Sequence, residues 1–145
     1  METHSQIETL LPSLYESICF QSGEKPTFER LRGHFLPEAL LINNNNPAAP
    51  VVLTLEGFIQ AVQTAISSGQ VKEFHEQEIA RTIEIVGNIA HVFSRYEARF
   101  DAASPEPFSV GVNSIQLIHL ETPNGVEWRI SSMAWNDVPQ KTNDK

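Results

Sequence analysis

Apolar residues recur at two different periods along this chain, and the change of period divides it. In the first part Ile7, Leu10, Leu11, Leu14 and Ile18 repeat at helical spacing, with Tyr15 and Cys19 beside the stripe. Ser5 and Glu8 stand at capping-box spacing, and Ser22-Gly23 supplies a stop. Thr27, following Pro26, caps an expected short helix over 28–35 that is apolar at Phe28, Leu31 and Phe35. Residues 38–42 (EALLI) read as a short strand, and the Asn- and Pro-rich stretch 43–50 as a loop. Thr54 then caps a third helix with Leu55, Phe58, Ile59, Val62 and Ile66 on one face, ended by Gly69.

Beyond Gly69 the pattern becomes extended. Run 71–86 meets run 89–101 across Gly87-Asn88, a two-residue hairpin signal. Run 108–121 passes through Thr122-Pro123-Asn124-Gly125 into 126–136. The prolines of 102–107 suit a turn and not a central strand. Strands this long make a strongly curved antiparallel sheet, and the three N-terminal helices are the natural cover for its hollow side. The expectation is one α+β domain over 1–145, a cone-shaped roll with its core at about 5–137 and a frayed tail from 138.

Composition narrows the function classes. The formal net charge is −8, and the longest basic feature is Arg30 with Arg32. Binding to nucleic acid or to an anionic membrane needs clustered Lys and Arg, so neither is expected. Cys19 is the only cysteine, which excludes an internal disulfide, and its place on helix 1 suggests a buried small hydrophobe. The start METHSQIETL has neither a basic segment nor an apolar one, and no run is long enough to span a bilayer, so a soluble cytoplasmic protein is expected. His4, His34, His75, His91 and His119 have no second ligand at a metal spacing. No glycine-rich phosphate loop or Gly-x-Ser-x-Gly elbow occurs, and no cofactor is expected.

Pairing Val86 with Ile89 assigns the hairpin's faces. One face carries Ile79, Ile83 and Ile85 with Ala90, Val92, Tyr96 and Phe100. The other carries Glu76, Glu78 and Glu84 with His91, Phe93, Arg95, Glu97 and Arg99, so that Glu78 opposes Glu97 and Glu76 opposes Arg99. Either the mixed face is a solvated outer surface of weak ion pairs, or it lines the hollow as polar groups of a pocket. Trp128 and Trp135 fall on opposite faces of the last strand.

The element order, together with GNIAHVFSRYEARF (87–100), GVNSIQLI (111–118) and WRISSMAWND (128–137), resembles the nuclear transport factor 2-like superfamily, which includes SnoaL-like cyclases and ketosteroid isomerases. The resemblance spans about residues 5–137 and implies a cone enclosing a pocket, with dimerisation through the sheet. Set beside the isomerases, Tyr15 matches the oxyanion-hole tyrosine and Asn113 falls near the second acidic donor. Asn43 falls at or near the aspartate base, and an amide cannot take that proton. The catalytic residues are therefore left unassigned. The resemblance also turns His91, Phe93, Arg95, Glu97, Met133 and Trp135 toward the cavity. The expected ligand site is thus Tyr15, Glu78, His91, Phe93, Arg95, Glu97, Asn113, Met133 and Trp135, holding a small, partly apolar ligand in a homodimer, with Arg95 as anchor for an acidic group. An isomerase, cyclase or dehydratase with Glu78 or Glu97 as base is the alternative, and a protein-interaction module a further one.

Overall fold

The computed structural model describes residues 2–138, the side chains of residues 2 and 3 aside. Helix α1 (Glu2–Ile18) is followed by α2 (Phe28–Gly33), strands β1 (Phe35–Asn43) and β2 (Val51–Thr54), and helix α3 (Leu55–Ser67). Strands β3 (His75–Val86), β4 (Ile89–Arg99), β5 (Ser109–Thr122) and β6 (Gly125–Asp137) complete the chain. The strands form one sheet in the order β2-β1-β6-β5-β4-β3. The meander is antiparallel as expected, but β6 returns alongside β1 in parallel, which makes the sheet mixed. Residues 139 onward, most of the expected tail, lie outside those described.

Local signals explain several boundaries. Gly87 takes φ +60 and closes the hairpin with Val86 opposite Ile89. The Thr54 hydroxyl accepts from the Gly57 N–H at 3.0 Å and starts α3, and Gly69 ends it at φ +80. Helix α1 starts before Ser5 and ends at Ile18, so the Ser5–Glu8 pair is internal to it. Thr27 makes no side-chain cap, and α2 stops at Gly33 because Phe35 already belongs to β1. Strand β2 is not among the expected elements, the loop being expected at 43–50; Val51–Thr54 pairs with β1 through residues 40–43.

The core lies between the helices and one face of the sheet. Ile7, Leu11 and Leu14 of α1 pack with Leu31, Ile59, Leu41, Val92, Ile115 and Ile130, and Ile83 and Ile85 lean on this cluster. The isoleucine row therefore faces the helices. That corrects the expectation of a charged row directed inward: Val92 and Ser94 are fully buried, so the alternate residues His91, Phe93, Arg95 and Glu97 must point to the outer face.

Two bulges override the simple alternation. Ala80 opposes Arg95, but Glu78 opposes Tyr96, so Ile79 is the extra residue. Ile79 is turned outward, and Glu76 and Glu78 move onto the inner face, opposite Ala98 and Tyr96 and not opposite Arg99 and Glu97. In β6, Gln116 opposes Ser132 while Leu117 opposes Ile130, which makes Ser131 extra. Trp128 and Trp135 consequently share the inner face instead of dividing between two.

Candidate functional site

A cavity of about 340 Å³ opens between the helices and the sheet. Its helical wall is apolar: Phe28 and Leu31 from α2, and Phe58, Val62 and Ala65 from α3. Phe20, Phe74 and Phe108 add aromatic surface, and Phe108 stacks flat on Phe100 at 3.9 Å between ring centres. The sheet contributes Tyr96 and Ala98 from β4, Asn113 from β5, and Met133, Trp135 and Asp137 from β6. Trp135 meets Phe58 edge to face at 6.1 Å. Glu76, carried in by the β3 bulge, supplies a carboxyl group.

Behind this wall runs a buried polar chain. Asn113 Nδ2 donates to the Tyr15 hydroxyl at 3.0 Å, and that hydroxyl lies 2.6 Å from Ser94 Oγ. Ser94 gives its single proton to Glu78 Oε2 at 2.5 Å, so Tyr15 must be the donor to Ser94. Glu78 also receives Arg81, whose guanidinium lies 2.7 Å from Oε1. Burial raises the Tyr15 phenol well above its ordinary value, opposed by the bonds to Ser94 and Asn113. The phenol therefore stays neutral, with its proton committed away from the cavity.

Glu76 has no comparable support. Burial pushes its carboxyl up to about 7; the Asn113 side chain opposes that shift, and the Asp137 charge adds to it. Its residual exposed surface borders the cavity and a neighbouring cleft containing Cys19, His75 and Arg99. In that cleft Arg99 is held by Glu97 at 2.9 Å and by the carbonyls of Ser104 and Pro105. Cys19, expected as a plain hydrophobe, is half-buried; its Sγ contacts the carbonyls of Tyr15 at 3.2 Å and Glu76 at 3.4 Å and accepts from the Glu76 N–H at 3.3 Å.

Asp137 closes the far end. Its Oδ1 accepts from the Tyr96 hydroxyl at 3.0 Å and from Ser109 at 2.6 Å, while its N–H donates to Asn45 Oδ1. Burial, followed by the Asp137 charge, raises the Tyr96 phenol. Tyr96 can lie there because residue 111 is glycine: a Cβ at Gly111 would come within 2.4 Å of the Tyr96 oxygen.

Of the residues expected at the site, Asn113, Met133 and Trp135 line the cavity. Tyr15 and Glu78 stand one layer behind, in the polar chain. His91, Phe93, Arg95 and Glu97 do not reach it; on the outer face His91 bonds Ser114 at 2.9 Å and meets Phe93 edge to face, Glu97 pairs with Arg99, and Arg95 is exposed. Arg95 is thus no anchor for a ligand within. Sequence reasoning missed Glu76, Tyr96 and Asp137. Asn43, expected at or near the base position of the isomerases, accepts from the Asn45 N–H through its side-chain oxygen. Among the described residues no group of His, Cys, Asp and Glu is arranged to hold a metal ion, and no helix is long and apolar enough to cross a membrane.

Comparison with protein-family models and with curated proteins gives no match. Solved structures do match in fold. A protein of unknown function from Mycobacterium tuberculosis superposes with a TM-score of 0.69 at 17% identity, over 98% of this chain and 80% of that one. A protein of unknown function with a cystatin-like fold from Nostoc punctiforme gives 0.68 at 11%, over 94% and 91%. An NTF2-like protein with a cystatin-like fold from Novosphingobium aromaticivorans gives 0.66 at 14%, over 97% and 85%. The chain therefore has the nuclear transport factor 2-like, cystatin-like fold. At these identities the likeness extends to the fold alone.

Proposed function

We propose that this protein binds a small, largely apolar molecule in the cavity between α3 and the sheet. The observation that carries this reading is an apolar, aromatic chamber of about 340 Å³ with a few polar groups gathered on its sheet wall. A volume near the low end of known ligand pockets suits a compact molecule. Naphthalenemethanol is a suitable probe, because Trp135 sits in the wall and its fluorescence reports occupancy. A saturable change is expected, together with its loss in Ala65→Phe at unchanged melting temperature. Absence of any saturable change up to the solubility limit would refute the reading.

A second reading, an isomerase, cyclase or dehydratase, is favoured by Glu76. A carboxyl held near 7 in an apolar chamber is matched to proton abstraction at neutral pH. This replaces Glu78 and Glu97 as candidate bases, since Glu78 is tied to Ser94 and Arg81 and Glu97 lies outside. Turnover of any substrate found should collapse in Glu76→Gln; undiminished turnover would remove this reading.

The protein is further read as a cytoplasmic homodimer joined through the outer sheet face. Exposed Ile79, Ile89 and Phe93 on that face support it. Sedimentation equilibrium should give twice the chain mass for the wild type and a single chain for Phe93→Lys.

A further inference from the structure

We infer that the molecule taken by this cavity ends in a protonated amine, with Glu76 as its counter-ion and the surrounding rings as its apolar and cation–π bed. This rests on the cavity being a ligand site, and it assigns the chemical class of that ligand.

The donors and acceptors on the sheet wall carry the argument. The Tyr96 hydroxyl spends its proton on Asp137. Ser109 spends its hydroxyl proton on the same oxygen. The Tyr15 proton goes to Ser94, and one Asn113 N–H goes to Tyr15. What remains to meet a ligand is acceptor capacity: the Glu76 carboxylate, the second oxygen of Asp137 and the Tyr96 lone pairs. Against these stand, among the described lining residues, only neutral amide donors: the second N–H of Asn113, already shared with Glu76, and the NH2 of Asn45, whose oxygen accepts from the Asp137 N–H. Among the described residues no Lys, Arg or His belongs to the cavity wall. An acidic ligand would bring a third negative charge beside Glu76 and Asp137, with no cationic side chain among the described lining residues to offset it. A hydroxyl ligand can use the acceptors but leaves Glu76 unneutralised. An ammonium group supplies several donors and the missing charge together, and the Phe20, Phe74 and Trp135 rings offer electron-rich faces.

The titratable groups facing Glu76 from the cavity side are Tyr15 of α1, Cys19 just after that helix, Tyr96 from β4 and Asp137 from β6, none of them a cation, while the neighbouring cleft adds His75, Glu97 and Arg99, whose guanidinium is held by Glu97 at 2.9 Å. Amine binding must therefore compete with a proton on Glu76. Affinity for the amine should fall as pH drops below about 7, whereas affinity for a neutral analogue should not.

The test compares naphthylmethylamine, naphthalenemethanol and naphthoic acid by titration calorimetry on wild type and Glu76→Gln. The amine should bind wild type about tenfold or more tighter than the alcohol, with the acid weakest. In Glu76→Gln the amine should lose its advantage over the alcohol and its pH dependence. Equal binding of all three, or tightest binding of the acid, would overturn this inference while leaving the cavity a ligand site. An amine preference that survives Glu76→Gln would overturn the role of Glu76. Binding of none of the three would overturn the ligand site, and this inference with it.

Discussion

The Asn113 amide donates to the Tyr15 hydroxyl at 3.0 Å, and this direction determines what Tyr15 can do. In an oxyanion hole the tyrosine must donate into the cavity. Here its oxygen receives from the cavity side and its proton is passed outward through Ser94 to Glu78. Tyr15 thus fixes the orientation of Asn113 and cements α1 to the sheet. Removing its hydroxyl should cost stability, by about 1–3 kcal/mol in Tyr15→Phe, because two buried groups lose a partner. Urea unfolding checks this, and a double-mutant cycle with Ser94→Ala should show strong coupling. Additive losses would mean the chain is not cooperative.

Glu76 predicts an unusual dependence of stability on pH. Its folded-state value, about 7, lies above its ordinary value of 4.5, so between these limits the native state holds more protons than the unfolded one. Stability must then fall as pH rises from about 4.5 to about 7, by about 3 kcal/mol if the whole difference is expressed. Glu76→Gln should be more stable than wild type at about pH 8, and this advantage should shrink toward zero near about pH 4.5. Melting temperatures across that range provide the check. A variant less stable than wild type at alkaline pH would contradict the burial of this carboxyl.

Gly111 is predicted to tolerate no side chain. Gly111→Ala drives a Cβ against the Tyr96 phenol and the Asn136 carbonyl, at 2.4 and 2.6 Å, where neither can move without disturbing Asp137. A loss of about 1–3 kcal/mol or more is expected from denaturant unfolding. Gly33→Ala is the control, since nothing lies within 4 Å of its added methyl and its φ is not positive.

Arg95 separates the inner and outer assignments of the charged row. It is exposed on the outer face, so Arg95→Ala should leave naphthalenemethanol affinity unchanged and stability within about 0.5 kcal/mol. A tenfold loss of affinity would restore the inward placement that the sequence resemblance implied.

How far the sequence reveals this molecule turns on particular residues. Thr54, Gly69 and the Gly87-Asn88 turn act locally, and each sits where its chemistry places it. The bulge at Ile79 leaves no such mark. Ile79 is spaced evenly with Ile83, so the row reads as one continuous face although Ile79 points outward. A single inserted residue then hid Glu76, the cavity carboxyl, among apparent surface charges. The Ser131 bulge disguised the shared face of the two tryptophans in the same way. Strand β2 escaped notice because four residues beside a helix cap show too little alternation, and only its pairing with β1 defines it. Which face is hollow was decided by burial: the apolar Ala90–Val92 row was legible, and the simpler inference from it, apolar inward, was correct.

The measurement that reaches the central claim most directly is a nitrogen–proton correlation spectrum of the protein titrated with naphthalenemethanol, read at side-chain resonances. Binding in the cavity should shift the Trp135 indole N–H and the Asn113 side-chain amide together, with a common saturation curve, while the backbone amides of Phe93 and Arg95 stay in place. Shifts confined to the outer face around Phe93 and Ile89, with Trp135 and Asn113 unmoved, would contradict it.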